Sequence, residues 1–271
     1  MRLLALLIAS LAACPTPEVQ SASPGQDGEP KFDHSHALWT EVLQEHVHDD
    51  RFDYRALKKE RGKLDRYLKS LHAVSPADMR GWTRDQKYAF WINVYNAHAI
   101  QLIVDHYPVD SIKDIGGVFS SVWNKEFIPM KAHHPEDDDD ELSLDDVEHQ
   151  ILRPRYKDAR VHAAVNCASV GCPPLRDEAF VAEKLDEQLD EQMRAFVADT
   201  RRNGFNRSKN TIYISEIFDW FEEDFERDAK SVVRYVLRYA PEGGSYQWIL
   251  DAKVKYKDYS WDLNDVERPK R

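Results

Sequence analysis

The stretch Asp85–His106 constrains the fold most, because it is apolar on nearly every side. Its large apolar residues do not form one stripe: they are Tyr88, Phe90, Trp91, Ile92, Val94, Tyr95, Ala99, Leu102 and Ile103. A helix that is apolar all round is normally buried at the centre of a domain. A capping-box pattern over Thr83–Gln86 precedes this stretch, and Pro108 follows it. The sequence therefore predicts a domain packed around one long central helix.

Two asparagines interrupt this apolar helix. Asn93 and Asn96 are three residues apart and therefore share one face. Burying an amide costs free energy unless it is hydrogen-bonded, so both side chains need polar partners. Either they tie down a neighbouring loop or they line a pocket. Most buried amides bond to backbone, which favours the structural tie, and a binding role stays open.

The remaining periodicities are mostly helical. Helices are predicted at His36–Val47, Tyr54–His72, Leu144–Leu152 (ended by Pro154), Phe180–Val197, Ser215–Phe225 and Ala229–Tyr239, and strands at Arg160–Asn166, Thr211–Ile214 and Ala252–Tyr259. Helices outnumber strands, and no regular βαβ alternation is present. The predicted class is α+β: a mostly helical single domain around a small β-sheet.

The N-terminus indicates export. One basic residue, a short apolar run and small residues lead to Cys14, as in a signal peptide, and Leu11–Cys14 resembles a bacterial lipobox. We expect a signal peptide over 1–13, lipidation of Cys14, and a flexible tether over 14–32 that is rich in Pro, Ser and Gly. An ordinary secretory signal or a buried helix is the alternative. The globular domain is expected over 33–265, with a charged tail over 266–271.

Export as a lipoprotein would place the domain at the periplasmic face of a bacterial membrane. The membrane, reached through the lipid anchor, is then one expected partner, and an unknown envelope ligand or peptide is another. The net charge of −11 would repel a phosphate backbone, so nucleic acid is not expected.

No cofactor is expected, because the sequence has no Gly-rich phosphate loop and no dinucleotide fingerprint. The acidic run His133–Glu141 lacks the ligand spacing of a calcium loop or a zinc site, so no metal is expected. A run of like charges is usually a solvated loop.

The run Val161–Pro174 carries the main candidate chemistry. An apolar segment with His162 breaks into a loop that holds Asn166, Cys167, Ser169 and Cys172. With Cys14 lipidated, an even pair of cysteines remains. In an oxidising compartment such a pair suggests a disulfide.

The first hypothesis is enzymatic, with Cys167 as a nucleophile for acyl transfer or hydrolysis. A thiol attacks as its thiolate, which a nearby imidazole stabilises, and His162 or His149 could serve. On a regular strand His162 and Cys167 would point to opposite faces, so the loop must turn for His162 to reach. Otherwise His149 is the better base. Glu148, an Asn of the long helix or Asn166 would orient the imidazole or bind the oxyanion.

The second hypothesis is non-catalytic and is favoured by the even cysteine count. Cys167 and Cys172 then form a disulfide, and the loop becomes a rigid element of a binding or scaffolding module. A redox version makes the pair a switching disulfide. The candidate binding residues, for an unknown ligand, are Asn93, Asn96, Asn166, Ser169 and Arg153.

Several motifs together resemble one family. They are Ala89–Ala97, Leu142–His149 with Ile151–Arg153, Val161–Pro173 and Tyr259–Asn264. In this order, from about residue 80 to residue 264, they resemble the DUF547 domain family, whose function is unknown. The resemblance implies one fold unit and a site at the cysteine loop. A relation to cysteine-peptidase or transglutaminase-like folds is an analogy at the level of the fold.

Overall fold

The structure is a computed structural model that describes residues 32–117, 121–134, 141–241 and 244–267. The α-helices are α1 (Ala37–His46), α2 (Tyr54–Lys59), α3 (Gly62–His72), α4 (Pro76–Arg80), α5 (Arg84–His106), α6 (Arg153–Tyr156), α7 (Val161–Ala164), α8 (Leu185–Ala198), α9 (Ile217–Trp220), α10 (Glu222–Ala229) and α11 (Val232–Arg238). A π-helix covers Asp146–Leu152. Short 3₁₀ helices cover Ile112–Ile115, Val122–Asn124, Lys131–His133, Ala182–Lys184, Arg207–Lys209 and Gln247–Asp251.

In the described ranges the strands form two small sheets. β1 (Val47–His48) pairs antiparallel with β2 (Arg51–Phe52). β4 (Thr211–Ser215) lies between β3 (Gly204–Asn206) and β5 (Lys253–Lys257), antiparallel to β3 and parallel to β5. These small sheets among many helices confirm the predicted mostly helical α+β domain.

The central helix α5 is confirmed. Thr83 caps it and forms a capping box with Gln86, and the helix is buried along most of its length. α1, α3, the π-helix and the segment around Phe180 pack around it in one hydrophobic cluster. A second cluster joins α8, β4 and α9–α11. The one-turn helix α7 contributes to both clusters, so the start of the cysteine loop is held at their junction.

The predicted strand Arg160–Asn166 is wrong. Val161–Ala164 forms the single helical turn α7, closed by a hydrogen bond from the Val165 N–H to the Val161 carbonyl at 3.0 Å. A short apolar segment buried on all sides has the same sequence pattern in a strand and in a helix, and here it is buried between two clusters.

Several predicted boundaries also differ. Tyr54–His72 is interrupted between α2 and α3, Ser215 ends β4, and the helix predicted over Ser215–Phe225 is divided into α9 and α10 at Phe221. Pro154 does not stop its helix, which continues to Tyr156. The preceding π-helix already interrupts the i−4 hydrogen-bond ladder, so the missing N–H of the proline costs less there.

The C-terminal segment after β5 pairs with the cysteine loop. The N–H groups of Val170 and Gly171 donate to the carbonyls of Asp262 and Ser260, each at 2.8 Å, and the Asn264 N–H donates to the Ala168 carbonyl at 3.0 Å. This pairing brings a segment almost a hundred residues away in sequence against the loop. Among the described residues no helix is long and apolar enough to cross a membrane.

Candidate active site

The cysteine loop is fixed to the central helix by Asn96. Its side-chain Nδ2 donates to the Ala164 carbonyl at 2.9 Å, and its Oδ1 accepts from the Asn166 N–H at 2.8 Å. Asn93 makes the same pair of bonds to another segment: Nδ2 donates to the Phe180 carbonyl at 2.7 Å, and Oδ1 accepts from the Phe180 N–H at 3.1 Å. Both amides therefore tie backbone in place, which is the structural alternative predicted for them.

Asn166 folds the loop back on itself. Its Oδ1 accepts from the Ala168 N–H at 2.8 Å, and its Nδ2 donates to the Pro173 carbonyl at 2.8 Å. Ala168 takes the left-handed conformation, with φ of 64°, which a β-carbon disfavours. A further turn joins the Cys172 N–H to the Ser169 carbonyl at 3.1 Å. These turns bring the two cysteines of the loop together.

Cys167 and Cys172 are two free thiols in direct contact. Their sulfurs are 2.8 Å apart, farther than the S–S bond length of about 2.05 Å. The Cys172 sulfur accepts from the Cys167 N–H at 3.1 Å and lies 3.0 Å from the Tyr259 hydroxyl. The Cys167 sulfur is 3.4 Å from that hydroxyl and 3.5 Å from the Ser169 hydroxyl. The disulfide stays a prediction, and the two thiols are placed so that it could form.

The two thiols differ in acidity. Burial raises the pKa of Cys172, but hydrogen bonds from Cys167, from Tyr259 and from backbone N–H groups outweigh burial and lower this pKa to about 7. The hydrogen bond to Cys172, together with burial, raises the pKa of Cys167. The pair therefore loses its first proton from Cys172, and Cys167 keeps its proton and donates it toward the thiolate.

Tyr259 reaches the sulfurs because Gly171 leaves room for its ring. A β-carbon on residue 171 would lie 2.7 Å from the ring of Tyr259. A larger residue at 171 would therefore displace the ring of Tyr259. Sequence reasoning missed the contact of Tyr259 with the thiols. Its only signal was membership of the motif Tyr259–Asn264.

His162, on α7, is buried and bound to a carboxylate that the sequence did not indicate. Its Nε2 lies 2.8 Å from Asp224 Oδ2, and its ring stacks on Phe221 with centroids 3.8 Å apart. A carboxylate only accepts, so Nε2 carries the proton and Nδ1 holds a lone pair. Among the described residues Nδ1 has no hydrogen-bond partner, and the nearest carboxylate, that of Glu148, is 3.9 Å away. Burial lowers the pKa of His162, although Asp224 opposes this.

Asp224, on α10, joins three basic groups. It accepts from Arg153 Nε at 2.7 Å and from Arg227 Nη1 at 2.6 Å, in addition to His162. Burial raises the pKa of Asp224, but these three hydrogen bonds outweigh it and hold the pKa well below the usual range. Asp224 is thus ionised, and it orients the imidazole of His162.

The π-helix places Glu148 and His149 side by side. Glu148 is buried, and burial raises the pKa of its carboxyl. His149 is more exposed: its Nδ1 accepts from Arg153 Nη1 at 2.7 Å, and its Nε2 lies 3.7 Å from Asp145. π-Helical turns often occur at functional sites.

These groups surround one cavity of about 310 Å³. The described residues that line it are Tyr95, Ser121, Trp123, Asp145, Glu148, His149, His162, Val165, Cys167, Cys172, Pro173, Ile217, Trp220, Phe221, Tyr259 and Trp261. The four predicted catalytic residues (Cys167, His162, His149 and Glu148) thus meet in one place, together with Cys172. His162 and the thiols line the same cavity, but no hydrogen bond joins them among the described residues.

The predicted binding residues lie outside the lining of this cavity. Asn93, Asn96 and Asn166 bond to backbone, Ser169 contacts Cys167, and Arg153 lies behind His149 and Asp224. Cys14 falls outside the described residues. Within the described parts of the chain, no group of three His, Cys, Asp or Glu side chains could hold a metal ion.

Residues 79–197 match the family model DUF547, which is described as a protein of unknown function. This match confirms the resemblance over α5, the π-helix, α7 and the cysteine loop. Asp224 and Tyr259 lie beyond it. No curated protein and no solved structure matches the chain. The analogy to cysteine-peptidase or transglutaminase-like folds therefore stays a prediction.

Proposed function

We propose that this protein, which carries a DUF547 domain, is a lipid-anchored envelope protein that exchanges thiols and disulfides. The reacting group is the pair Cys167 and Cys172. The observation that carries the proposal is the contact between two free sulfurs at 2.8 Å, of which Cys172 has its pKa lowered to about 7. A thiol whose pKa lies near ambient pH is the best attacking group in exchange.

The reaction would proceed in two displacements. The Cys172 thiolate attacks one sulfur of a small disulfide in the cavity, forms a mixed disulfide and releases the other half as a thiolate. Cys167 then loses its proton and attacks the Cys172 sulfur. This forms the intramolecular bond and releases the second thiol. One external disulfide is reduced by two electrons as the pair is oxidised by two, and the reverse direction would oxidise an external dithiol.

Exchange fits the geometry better than acyl transfer does. Acyl transfer by a thiol needs an imidazole against the sulfur, whereas among the described residues no hydrogen bond joins His162 to either thiol. The groups that contact the Cys172 sulfur are the second thiol, the Tyr259 hydroxyl and the Cys167 N–H. Each of these stabilises a thiolate, and the second thiol can resolve a mixed disulfide.

The second candidate is a thiol-dependent hydrolase or acyltransferase. It is favoured by the His162 Nδ1 lone pair, which is buried in the cavity wall and has no partner among the described residues, while Asp224 holds the ring through Nε2. A base held by a carboxylate is the arrangement of nucleophilic triads. Changing His162→Gln would remove hydrolysis of an ester or amide, whereas disulfide exchange needs no imidazole.

The location is part of the proposal. The apolar run that ends at Leu11–Cys14 supports cleavage before Cys14 and lipidation of its thiol. Cells that express the full chain, labelled with a radioactive fatty acid, should incorporate the label into the protein. Cys14→Ser should abolish labelling and release the protein from the membrane fraction. Labelling that persists in Cys14→Ser would overturn the anchor.

The exchange reaction is tested with the reduced protein and hydroxyethyl disulfide, followed by peptide mapping. Wild-type protein should form an internal Cys167–Cys172 bond that dithiothreitol reverses in the folded state. Cys167→Ser lacks the resolving thiol and should stop as a mixed disulfide on Cys172. A wild-type pair that stays reduced would contradict the proposal. A bond that no thiol reduces in the folded protein would instead indicate a structural disulfide, as in a scaffolding module.

A further inference from the structure

The cavity next to the thiols has an aromatic wall. It is built from Tyr95, Trp123, Trp220, Phe221, Tyr259 and Trp261. The rings contact one another: Trp220 stacks on Trp261 with centroids 5.8 Å apart, and Trp123 meets Trp261 edge-on at 5.1 Å. Trp220 is 44% exposed, which is unusual for a large aromatic side chain and places its ring within reach of solvent. A ligand on its way to the sulfurs would therefore contact aromatic faces.

The charged groups in the same lining are acidic. They are Asp145 and Glu148, and no Lys or Arg belongs to the described lining. The side chain of Asp145 is 37% exposed, whereas Glu148 is buried deeper. An anionic ligand would meet these carboxylates without a lining cation to balance it, and a cationic ligand would be attracted.

Two rings of this wall already carry cations of the protein itself. Lys113 Nζ lies 3.8 Å from the centre of the Trp261 ring, and the Arg153 guanidinium lies 5.0 Å from that of Phe221. Both distances are within the range of cation–π attraction, which is strongest for desolvated sites. Arg153 is moreover paired with Asp224. Arg227, the second arginine on Asp224, is also paired with Asp228, so these two cations face two carboxylates.

We propose that the cavity binds an aliphatic ammonium compound, with the ammonium group held between the aromatic wall and Asp145. Resting on the proposed exchange function, the substrate would be a small disulfide of an aminothiol. The volume of about 310 Å³ suits such a ligand, since small-molecule sites begin at roughly 300 Å³. The exchange converts one molecule of this disulfide and the reduced pair into two aminothiols and the Cys167–Cys172 bond.

Binding is tested without any reaction, using three compounds in which methylene groups replace the sulfurs. Hexamethylenediamine is cationic, hexanediol is neutral and suberate is anionic. Their binding to the reduced protein is followed by tryptophan fluorescence, since three tryptophans line the cavity. The diamine should bind about tenfold more tightly than the diol, the equivalent of about 1.4 kcal/mol, and suberate more weakly than either. Equal binding of diamine and diol, or tighter binding of suberate, would overturn the inference.

A charge-matched pair of variants locates the effect. Asp145→Asn removes a partly exposed lining carboxylate and should weaken diamine binding about threefold to tenfold, leaving hexanediol unchanged. Asp251→Asn removes an exposed carboxylate that does not line the cavity and should leave diamine binding unchanged. Equal loss in both variants would mean that the net charge of the protein attracts the diamine, and this would overturn the site.

The reaction is tested with three disulfides of matched length. Cystamine is cationic, hydroxyethyl disulfide neutral and dithiodipropionate anionic. The rate at which each disulfide oxidises the protein is divided by the rate at which the same disulfide reacts with free mercaptoethanol. Cystamine should oxidise the pair at least about tenfold faster than dithiodipropionate does. If all three oxidise the pair at equal normalised rates, the cationic preference is wrong and exchange stands. If the diamine binds and no disulfide oxidises the pair, exchange is wrong and the cation site stands.

Discussion

The polar groups on the two sides of the cysteine loop differ in how far they are hydrogen-bonded within the protein. On the side of α5, Asn96 and Asn166 each use a side-chain donor and acceptor on backbone groups of the loop. On the cavity side, Nδ1 of His162 has no protein partner in the described structure, and burial raises the pKa of Glu148. On the same side, hydrogen bonds lower the pKa of Cys172.

This difference separates a structural network from a reactive one. Buried polar groups that only maintain the fold are normally satisfied within the protein. Groups with displaced pKa values and unused hydrogen-bonding capacity around a cavity are typical of functional sites. The loop thus has one rigid side that positions the sulfurs and one side that is left available to a ligand.

The greatest loss of stability is expected on the side of the loop that Asn96 fixes to α5. Asn96→Ala leaves the Ala164 carbonyl and the Asn166 N–H buried without partners, at a cost of about 3 kcal/mol in the free energy of unfolding. Because the loop loses its anchor, the alkylation rate of Cys172 should change too. Urea unfolding and iodoacetamide kinetics measure the two effects.

Asn93→Ala is the matched control, since Asn93 makes the same two bonds from the same helix to Phe180. It should cost a similar free energy of unfolding and leave the alkylation kinetics of Cys172 unchanged. Equal changes of thiol reactivity in both variants would show that Asn96 has no particular role in placing the loop.

The next variant tests the contact between Gly171 and Tyr259. Gly171→Ala places a β-carbon against the Tyr259 ring, so the ring must move. We expect a loss of about 1–3 kcal/mol in the free energy of unfolding, as for overpacking elsewhere. The pKa of Cys172 should rise as the hydroxyl withdraws. Unchanged thiol acidity in a folded Gly171→Ala protein would argue against the role given to this hydroxyl.

Tyr259→Phe removes the hydroxyl alone. A hydrogen bond to a charged group contributes about 1.5 kcal/mol or more, so the pKa of Cys172 should rise by about one unit. At pH 7 the alkylation rate should then fall about fivefold. Tyr213→Phe, on β4 and outside the cavity lining, is the control and should leave the rate unchanged.

The smallest effect is on stability as a function of pH. The pKa of Cys172 is lowered from 9.0 to about 7 in the folded state. The folded state therefore binds the proton more weakly, and this thiol adds stability as pH rises from about 7 to about 9. That contribution is lost as pH falls through 7. Reduced wild-type protein should gain about 1 kcal/mol between pH 7 and pH 8 relative to Cys172→Ser in urea unfolding. Parallel curves for the two proteins would contradict the lowered pKa.

Much of this architecture could be predicted from local pattern. The apolar circumference and the capping box of α5 predict a buried central helix, and the need of two buried amides for partners predicts their backbone ties. The strand predicted over Arg160–Asn166 failed because the four consecutive residues Val161–Ala164, which include His162, are all buried and do not show a period. Here they form a helical turn between two clusters.

Only part of the site could be predicted from the sequence. The run around Cys167 brings His162 and both cysteines together, and the π-helix adds Glu148 and His149. The contact of Asp224 with His162 could not be predicted, because the two residues are 62 apart in sequence. Asp224 also lies on an acidic helix, a pattern that is typical of a solvated surface. Tyr259 reaches the thiols only through pairing of the C-terminal segment with the loop, which leaves no local pattern.

The proposed exchange mechanism requires that Cys172 carries the thiolate of the reactive pair. Its most direct test is the initial rate of alkylation of each cysteine in the reduced, full-length protein between pH 5 and 10, resolved by peptide mass spectrometry. We expect labelling of Cys172 to rise with a midpoint near pH 7, with Cys167 labelled only at higher pH. A midpoint for Cys172 at the ordinary thiol value of about 8.5 or above, or labelling of Cys167 first, would contradict it.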